Sequence, residues 1–209
     1  MIVAEVSEWL SNGRPPWAAY RALMSGQLIA LDKSPGIRPV GIGETWRRLL
    51  AKCLLRVSGQ EAKAACGTEQ LAGGVEAGIE GAIHSARLQW AHHSQEEDWG
   101  FLLIDARNAF HEENRTALLW AVRHEWPNGA QLTFNCFGHW ATLVVRNTED
   151  GSGHFFHSKE GVTQGDPLAI IAYGIGVLPL IRVLRRVEAG IEGAIHAVRL
   201  QWAQLRPWA

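Results

Sequence analysis

The sequence is poor in the features that would place it quickly. It has only three cysteines, Cys53, Cys66 and Cys136, widely scattered and without a C-x-x-C pair. A zinc site is therefore not expected, and so sparse and odd a count suits a reducing compartment better than a disulfide framework. The strongly apolar run Pro167–Ile181 is shorter than the ~18–20 residues that a membrane span needs, and proline and glycine interrupt it. The N-terminal MIVAEVSEWL has early acids and no basic stretch, so it does not read as a signal peptide. These absences predict a soluble intracellular protein with no membrane contact. Excess charge is missing too: the net charge is −1 over 209 residues. That average hides an asymmetry, because residues 1–70 hold nine Lys/Arg and six Asp/Glu while residues 71–209 hold eleven and fifteen. A basic front and an acidic back suit a protein that handles phosphates and metal ions, although asymmetry of this size also arises by chance.

What is present is apolar bulk. Hydrophobic residues make up 47% and include ten tryptophans, enough for a sizeable core and incompatible with disorder. Helices are predicted over 3–10 and 17–24, separated by Asn12-Gly13-Arg14-Pro15-Pro16. Leu28–Leu31 and Arg38–Ile42 read as a hairpin about the turn Lys33-Ser34-Pro35-Gly36. Thr45 to about Val57 reads as a helix with Leu49, Leu50, Cys53, Leu54 and Val57 inward and Arg48, Lys52 and Arg56 on another, solvated or phosphate-facing, stripe. Residues 75–91 read as an amphipathic helix with Ile79, Ala82, Ile83, Ala86 and Trp90 on one face. The run Trp99–Asp105 has the pattern of a buried strand with a carboxylate at its tip. A helix over Thr116–Trp126 follows, then strands at Leu132–Phe137, His139–Arg146 and His154–His157, and an apolar helix over Pro167–Arg186 with a basic end. The nine histidines form no ligand pattern.

Val187–Ala203 repeats Val75–Ala91, differing only at Ser85/Ala197 and Ala86/Val198. This is a duplicated stretch, and a single duplication is not a solenoid. Its apolar stripe predicts a helix that packs on a sheet edge, or that competes with the first copy for one site and gives a swapped homodimer.

Three segments carry chemistry. Lys33 and Arg38 flank a Pro-Gly turn, where basic side chains can cradle a polyphosphate. Asp105-Ala106-Arg107-Asn108-Ala109-Phe110 puts a carboxylate, a hard oxygen ligand suited to Mg²⁺, five residues before an aromatic ring. Gly161-Val162-Thr163-Gln164-Gly165-Asp166-Pro167 is a tight turn before an apolar helix, and Asp166-Pro167 also reads as an ordinary helix start.

In that order, RPVGIGETWRRLLAK, LLIDARNAF and EGVTQGDPLA resemble a reverse transcriptase, an RNA-directed DNA polymerase, of the retroelement type: the segment after the fingers hairpin, palm motif A and palm motif B. The resemblance covers roughly residues 25–186. It implies an α+β fold, a partial right-hand polymerase with fingers-like residues 1–70, an incomplete palm over 71–186 and a small antiparallel sheet, followed by the duplicated tail 187–209. It implies that Lys33 and Arg38 contact the incoming dNTP, and that Asp105 ligates Mg²⁺ or Mn²⁺ with the carbonyl of Ala106. Phe110 would be the steric gate against a ribose 2′-hydroxyl, and Gln164 and Gly165 would place nucleotide and template. The partners would be dNTP and an RNA/DNA primer–template. His111 stands where the family usually has Asn. No Asp follows Asp166 and no Asp-Asp pair occurs, so the second palm hairpin with its metal ligands is missing, as is the thumb. The expectation is a truncated nucleotidyltransferase relative, inactive alone because one carboxylate cannot hold two Mg²⁺ ions. The alternative is a noncatalytic nucleic-acid-binding or protein-interaction module on the same scaffold.

Overall fold

The computed structural model describes residues 2–101, 103–147 and 150–186. The expected tail helix over 187–209, with its docking on the sheet or in a swapped dimer, lies outside the described residues. The elements run α1 (Ile2–Asn12), α2 (Trp17–Met24), β1 (Gly26–Asp32), β2 (Ile37–Gly43), α3 (Thr45–Cys66), α4 (Gly78–His93), α5 (Ala109–Glu112), α6 (Arg115–Glu125), α7 (Pro127–Phe137), β3 (Ala141–Arg146), β4 (Gly153–Ser158), α8 (Ala169–Gly176) and α9 (Leu178–Arg186). The chain is helix-rich α+β, as its sequence implies.

The four strands lie in the order β2-β1-β3-β4. Two antiparallel hairpins, β1–β2 and β3–β4, join where Gly26 and Gln27 pair in parallel with Leu143 and Val144. The sheet is therefore mixed rather than antiparallel throughout. The β1–β2 hairpin closes through the Lys33 N–H donating to the Gly36 carbonyl at 3.0 Å.

The core lies among α2, α3, α6, α7 and α8. Trp126, Phe137, Met24, Leu118, Leu168 and Ile175 are fully buried in it, and truncating an aromatic such as Trp126 would cost about 3–5 kcal/mol. The Trp126 Nε1–H donates to the Ser58 carbonyl at 3.1 Å, tying α3 to the α6–α7 junction. Asn135 of α7 donates to the carbonyls of Leu10 and Gly13, both at 3.0 Å, and so pins the end of α1.

Four expectations change. Residues 132–137 are helix, not strand: Pro127 starts α7 rather than ending a helix, as a proline without its own N–H can at a first turn. The buried side of α7 then runs Gly129, Leu132, Thr133, Cys136 and Phe137 at helical spacing. Residues 99–101 and 103–105 form no strand. The sheet offers them no pairing partner, and Leu103 and Ile104 are exposed, so the expected motif A strand is a correction. Trp99 and Phe101 instead gather at the end of α4, with ring centroids 4.9 Å apart and Trp90 6.2 Å from Phe101. On α3 the inward face is Arg47, Leu50, Ala51, Ser58, Gly59, Ala62 and Cys66, while Leu49, Cys53 and Val57 face out. The expected apolar stripe is turned because a buried arginine takes an inward position. The apolar helix after Pro167 breaks at Val177 into α8 and α9.

Candidate functional site

The segment Gly161–Asp166 is the hub of the molecule, because four different parts of the chain hold it. The Gly41 N–H of β2 donates to the Gln164 carbonyl at 2.7 Å. The Val162 N–H donates to the Phe110 carbonyl at 2.7 Å, and the Gly161 N–H to the Glu113 carbonyl at 2.8 Å. Two glycines permit this. Gly165 has φ +105°, and a Cβ there would stand 2.6 Å from the Gly41 carbonyl oxygen. Gly161 has φ +60°, and a Cβ there would run into the Phe110 carbonyl. Only glycine tolerates both the positive φ and so close a backbone.

Asp166 fixes the end of the segment. Its Oδ1 accepts from the Leu168 N–H at 2.8 Å, and its Oδ2 lies 2.5 Å from Arg47 Nη2 on α3. Both side chains are 3% exposed. Arg47 also donates through Nη1 to the Met24 carbonyl at 3.2 Å and sits over the Phe137 ring, 5.4 Å from its centroid. Desolvation opposes the charged guanidinium, but its buried partners, the Asp166 carboxylate among them, outweigh that and hold the pKa of Arg47 above its ordinary value. Burial pushes the neighbouring Cys136 thiol up to about 12, so it stays a thiol at neutral pH.

A second buried cation grips the start of the segment. Arg115, at the first position of α6, donates to the carbonyls of Gly161 (3.0 Å), His139 (3.2 Å), Ser158 (3.0 Å) and Glu160 (2.9 Å) and to Ser158 Oγ (2.9 Å). Its own N–H donates to Glu160 Oε2 at 2.8 Å. Burial lowers its pKa to about 10, still far above neutral pH, so the clamp is charged. Sequence reasoning missed Arg47 and Arg115. Their only signal was an arginine among apolar positions at helical spacing, or at a helix start beside Asn114, whose Oδ1 caps α6 by accepting from Ala117.

The residues expected to act divide into two groups. Phe110, Gln164 and Gly165 are brought together with the β1–β2 hairpin. Between that hairpin, the β3–β4 hairpin and Thr163 lies a cleft of about 250 Å³ lined by Leu28, Pro39, Gly41, His111, Phe156 and Lys159 among others. Burial lowers the His111 pKa, opposed by Glu112, which favours a neutral ring at its wall. The Phe110 ring stacks on Tyr173 of α8, 4.5 Å between centroids and 21° apart in plane. Lys33 and Arg38 are exposed on the hairpin, available to a ligand. Asp105 and Ala106 are exposed on the irregular segment before α5. Among the described residues no group of three His, Cys, Asp or Glu is placed to hold a metal ion. One exposed carboxylate does not fit a two-ion Mg²⁺ centre.

Glu113 is a further feature that sequence reasoning missed. Its carboxyl is buried against Gly176, and both oxygens lack a hydrogen-bond partner. Burial raises its pKa well above the ordinary glutamate range. No helix among the described residues is long and apolar enough to cross a membrane.

No family profile and no curated protein matches the chain. Among solved structures, the chain is similar to apo telomerase from Candida tropicalis truncated from its C-terminal domain, with a TM-score of 0.57 at 14% identity. The match covers 91% of this chain and 46% of that one. The chain thus spans about half the length of the telomerase chain it matches, and the two share a fold.

Proposed function

We propose that this chain is a reverse-transcriptase-like fingers and partial palm of the retroelement type, which binds a primer–template nucleic acid and does not transfer nucleotides by itself. The observation that supports this best is the joining of separate motifs. The Gly161–Asp166 loop is hydrogen-bonded to Gly41 of the basic hairpin and to Phe110 after Asp105. Residues far apart in sequence thereby form one cleft beside a cationic hairpin. The fold likeness to telomerase, a polymerase related to reverse transcriptases, agrees with it.

In this reading Lys33 and Arg38 take backbone or triphosphate oxygens, with Arg48 and Lys52 extending the cationic face. Gln164 and Gly165, next to Thr163 of the cleft wall, position a nucleotide, and Phe110, next to His111 of that wall and braced by Tyr173, limits its sugar. Binding Mg²⁺ or Mn²⁺ would require further carboxylates beside Asp105, so the reading assigns this chain binding without chemistry. The test pairs two assays. Fluorescence anisotropy with a labelled RNA/DNA primer–template should show binding that weakens steeply with salt. Primer extension with dNTP and Mg²⁺ or Mn²⁺ should yield no product. Template-dependent incorporation would overturn the noncatalytic reading, and absence of binding would overturn the whole.

A further inference from the structure

Helix α4 is anomalous within this fold. Every residue from Ile79 to His92 is exposed. Its apolar stripe faces solvent, with Ile79 at 62%, Ile83 at 48% and Trp90 at 55% exposure. Among the described residues, α4 finds company at Gly78, buried against Leu71, and at its C-terminal end, where Trp90 leans on Trp99 and Phe101. A 16-residue helix with Gly81 in its interior is marginal when unsupported in water. An uncovered apolar face of this kind marks an interaction surface.

The sequence supplies a matching occupant. Residues 187–203 carry the same stripe, with fifteen of the seventeen positions identical to 75–91. Ile79, Ile83, Ala86 and Trp90 are spaced by four, three and four, the alternation of a coiled-coil seam. Setting the copy antiparallel against α4 places Ile79 opposite Trp202, Ile83 opposite Val198, Ala86 opposite Ile195 and Trp90 opposite Ile191. Each layer then meets a large residue with a complementary one. The difference at Ala86/Val198 puts the larger side chain on the copy, filling the layer against Ile83.

Charge fixes the direction. Glu80 and Arg87 flank the seam on one side, one heptad apart. In an antiparallel pair same-side flanks face each other, so Glu80 meets Arg199 and Arg87 meets Glu192. A parallel pair would set them against the copies of Val75 and Ala82 and gain nothing. We propose that residues 187–203 of the same chain dock antiparallel on the exposed face of α4, making a two-helix coiled coil from the duplicated sequence. The duplicate would thus be a partner for the first copy, not its competitor for another site.

The test uses the full 209-residue chain and reads amide hydrogen exchange over residues 79–92 together with molecular mass by light scattering. The wild type should be monomeric and protected there. Glu80→Arg or Arg199→Glu, each creating a like-charge contact, should lower protection roughly two- to fivefold. The double variant Glu80→Arg/Arg199→Glu should restore it. Unprotected amides, single variants without effect, or a double variant that fails to recover would each overturn the proposal. So would a dimeric mass, which would place the pairing between two chains. None of these substitutions touches the nucleic-acid cleft, so the outcome is separate from that of the binding assay.

Discussion

Asp166→Asn is the most informative single change at the loop. It keeps the volume and the acceptor for the Leu168 N–H but removes the negative charge 2.5 Å from Arg47 Nη2. Both partners are 3% exposed, so solvent cannot replace the lost charge. Breaking a buried pair from one side costs about 3–5 kcal/mol, because a charge is left uncompensated. The retained hydrogen bond puts Asp166→Asn near the low end, about 3 kcal/mol. Arg47→Met strands the Asp166 carboxylate instead and should cost a similar amount. For a chain of this length about 3 kcal/mol lowers Tm by roughly 10 °C. The double variant Arg47→Met/Asp166→Asn removes both charges and should cost less than the sum by about 2 kcal/mol or more. Urea unfolding of the four proteins gives the cycle. Single variants that cost under about 1 kcal/mol, or a coupling below about 0.5 kcal/mol, would refute the claim that this pair anchors the loop.

Three further outcomes follow from the same geometry. Arg115→Lys keeps the charge but cannot reach the five acceptors of the guanidinium; it should cost about 2–4 kcal/mol in urea unfolding and speed amide exchange over 158–163. Glu113 has a folded-state pKa above its unfolded one, so its contribution is full below the unfolded value and is lost as pH rises toward the folded one. Wild-type Tm should therefore fall more than that of Glu113→Gln between about pH 5 and pH 8, and parallel profiles would show that the carboxyl is not desolvated. Gly165→Ala, at φ +105° and facing the Gly41 carbonyl, should destabilise by about 1–3 kcal/mol and weaken primer–template binding.

Local signals made the hairpin and most helices legible. Pro35-Gly36 between two short apolar runs named the β1–β2 turn. The Gly161–Asp166 turn was legible because Gly165 sits where the backbone needs glycine. Long-range terms hid the rest. Pro127-Asn128-Gly129 reads equally as a stop or a start, and the buried contacts of Leu132, Cys136 and Phe137 decide for helix. The run around Leu103 and Ile104 has strand composition, yet a strand exists only where a neighbour pairs with it. Arg47 and Arg115 gave no clear signal because the carbonyls and carboxylate that hold them come from tens of residues away along the chain. At the candidate site, sequence reasoning singled out Phe110, Gln164 and Gly165 but missed the two arginines that set the loop in place.

The central claim is that the loop and the cationic hairpin form a nucleic-acid-binding face. Its most direct test is primer–template anisotropy with the wild type and with Lys33→Glu/Arg38→Glu, titrated at low and moderate salt. Both side chains are exposed, so the variant should unfold as the wild type does. The account predicts wild-type binding with a negative salt slope, and in the variant an affinity at least about tenfold lower with a shallower slope. Equal affinity and equal slope for the two proteins would contradict it.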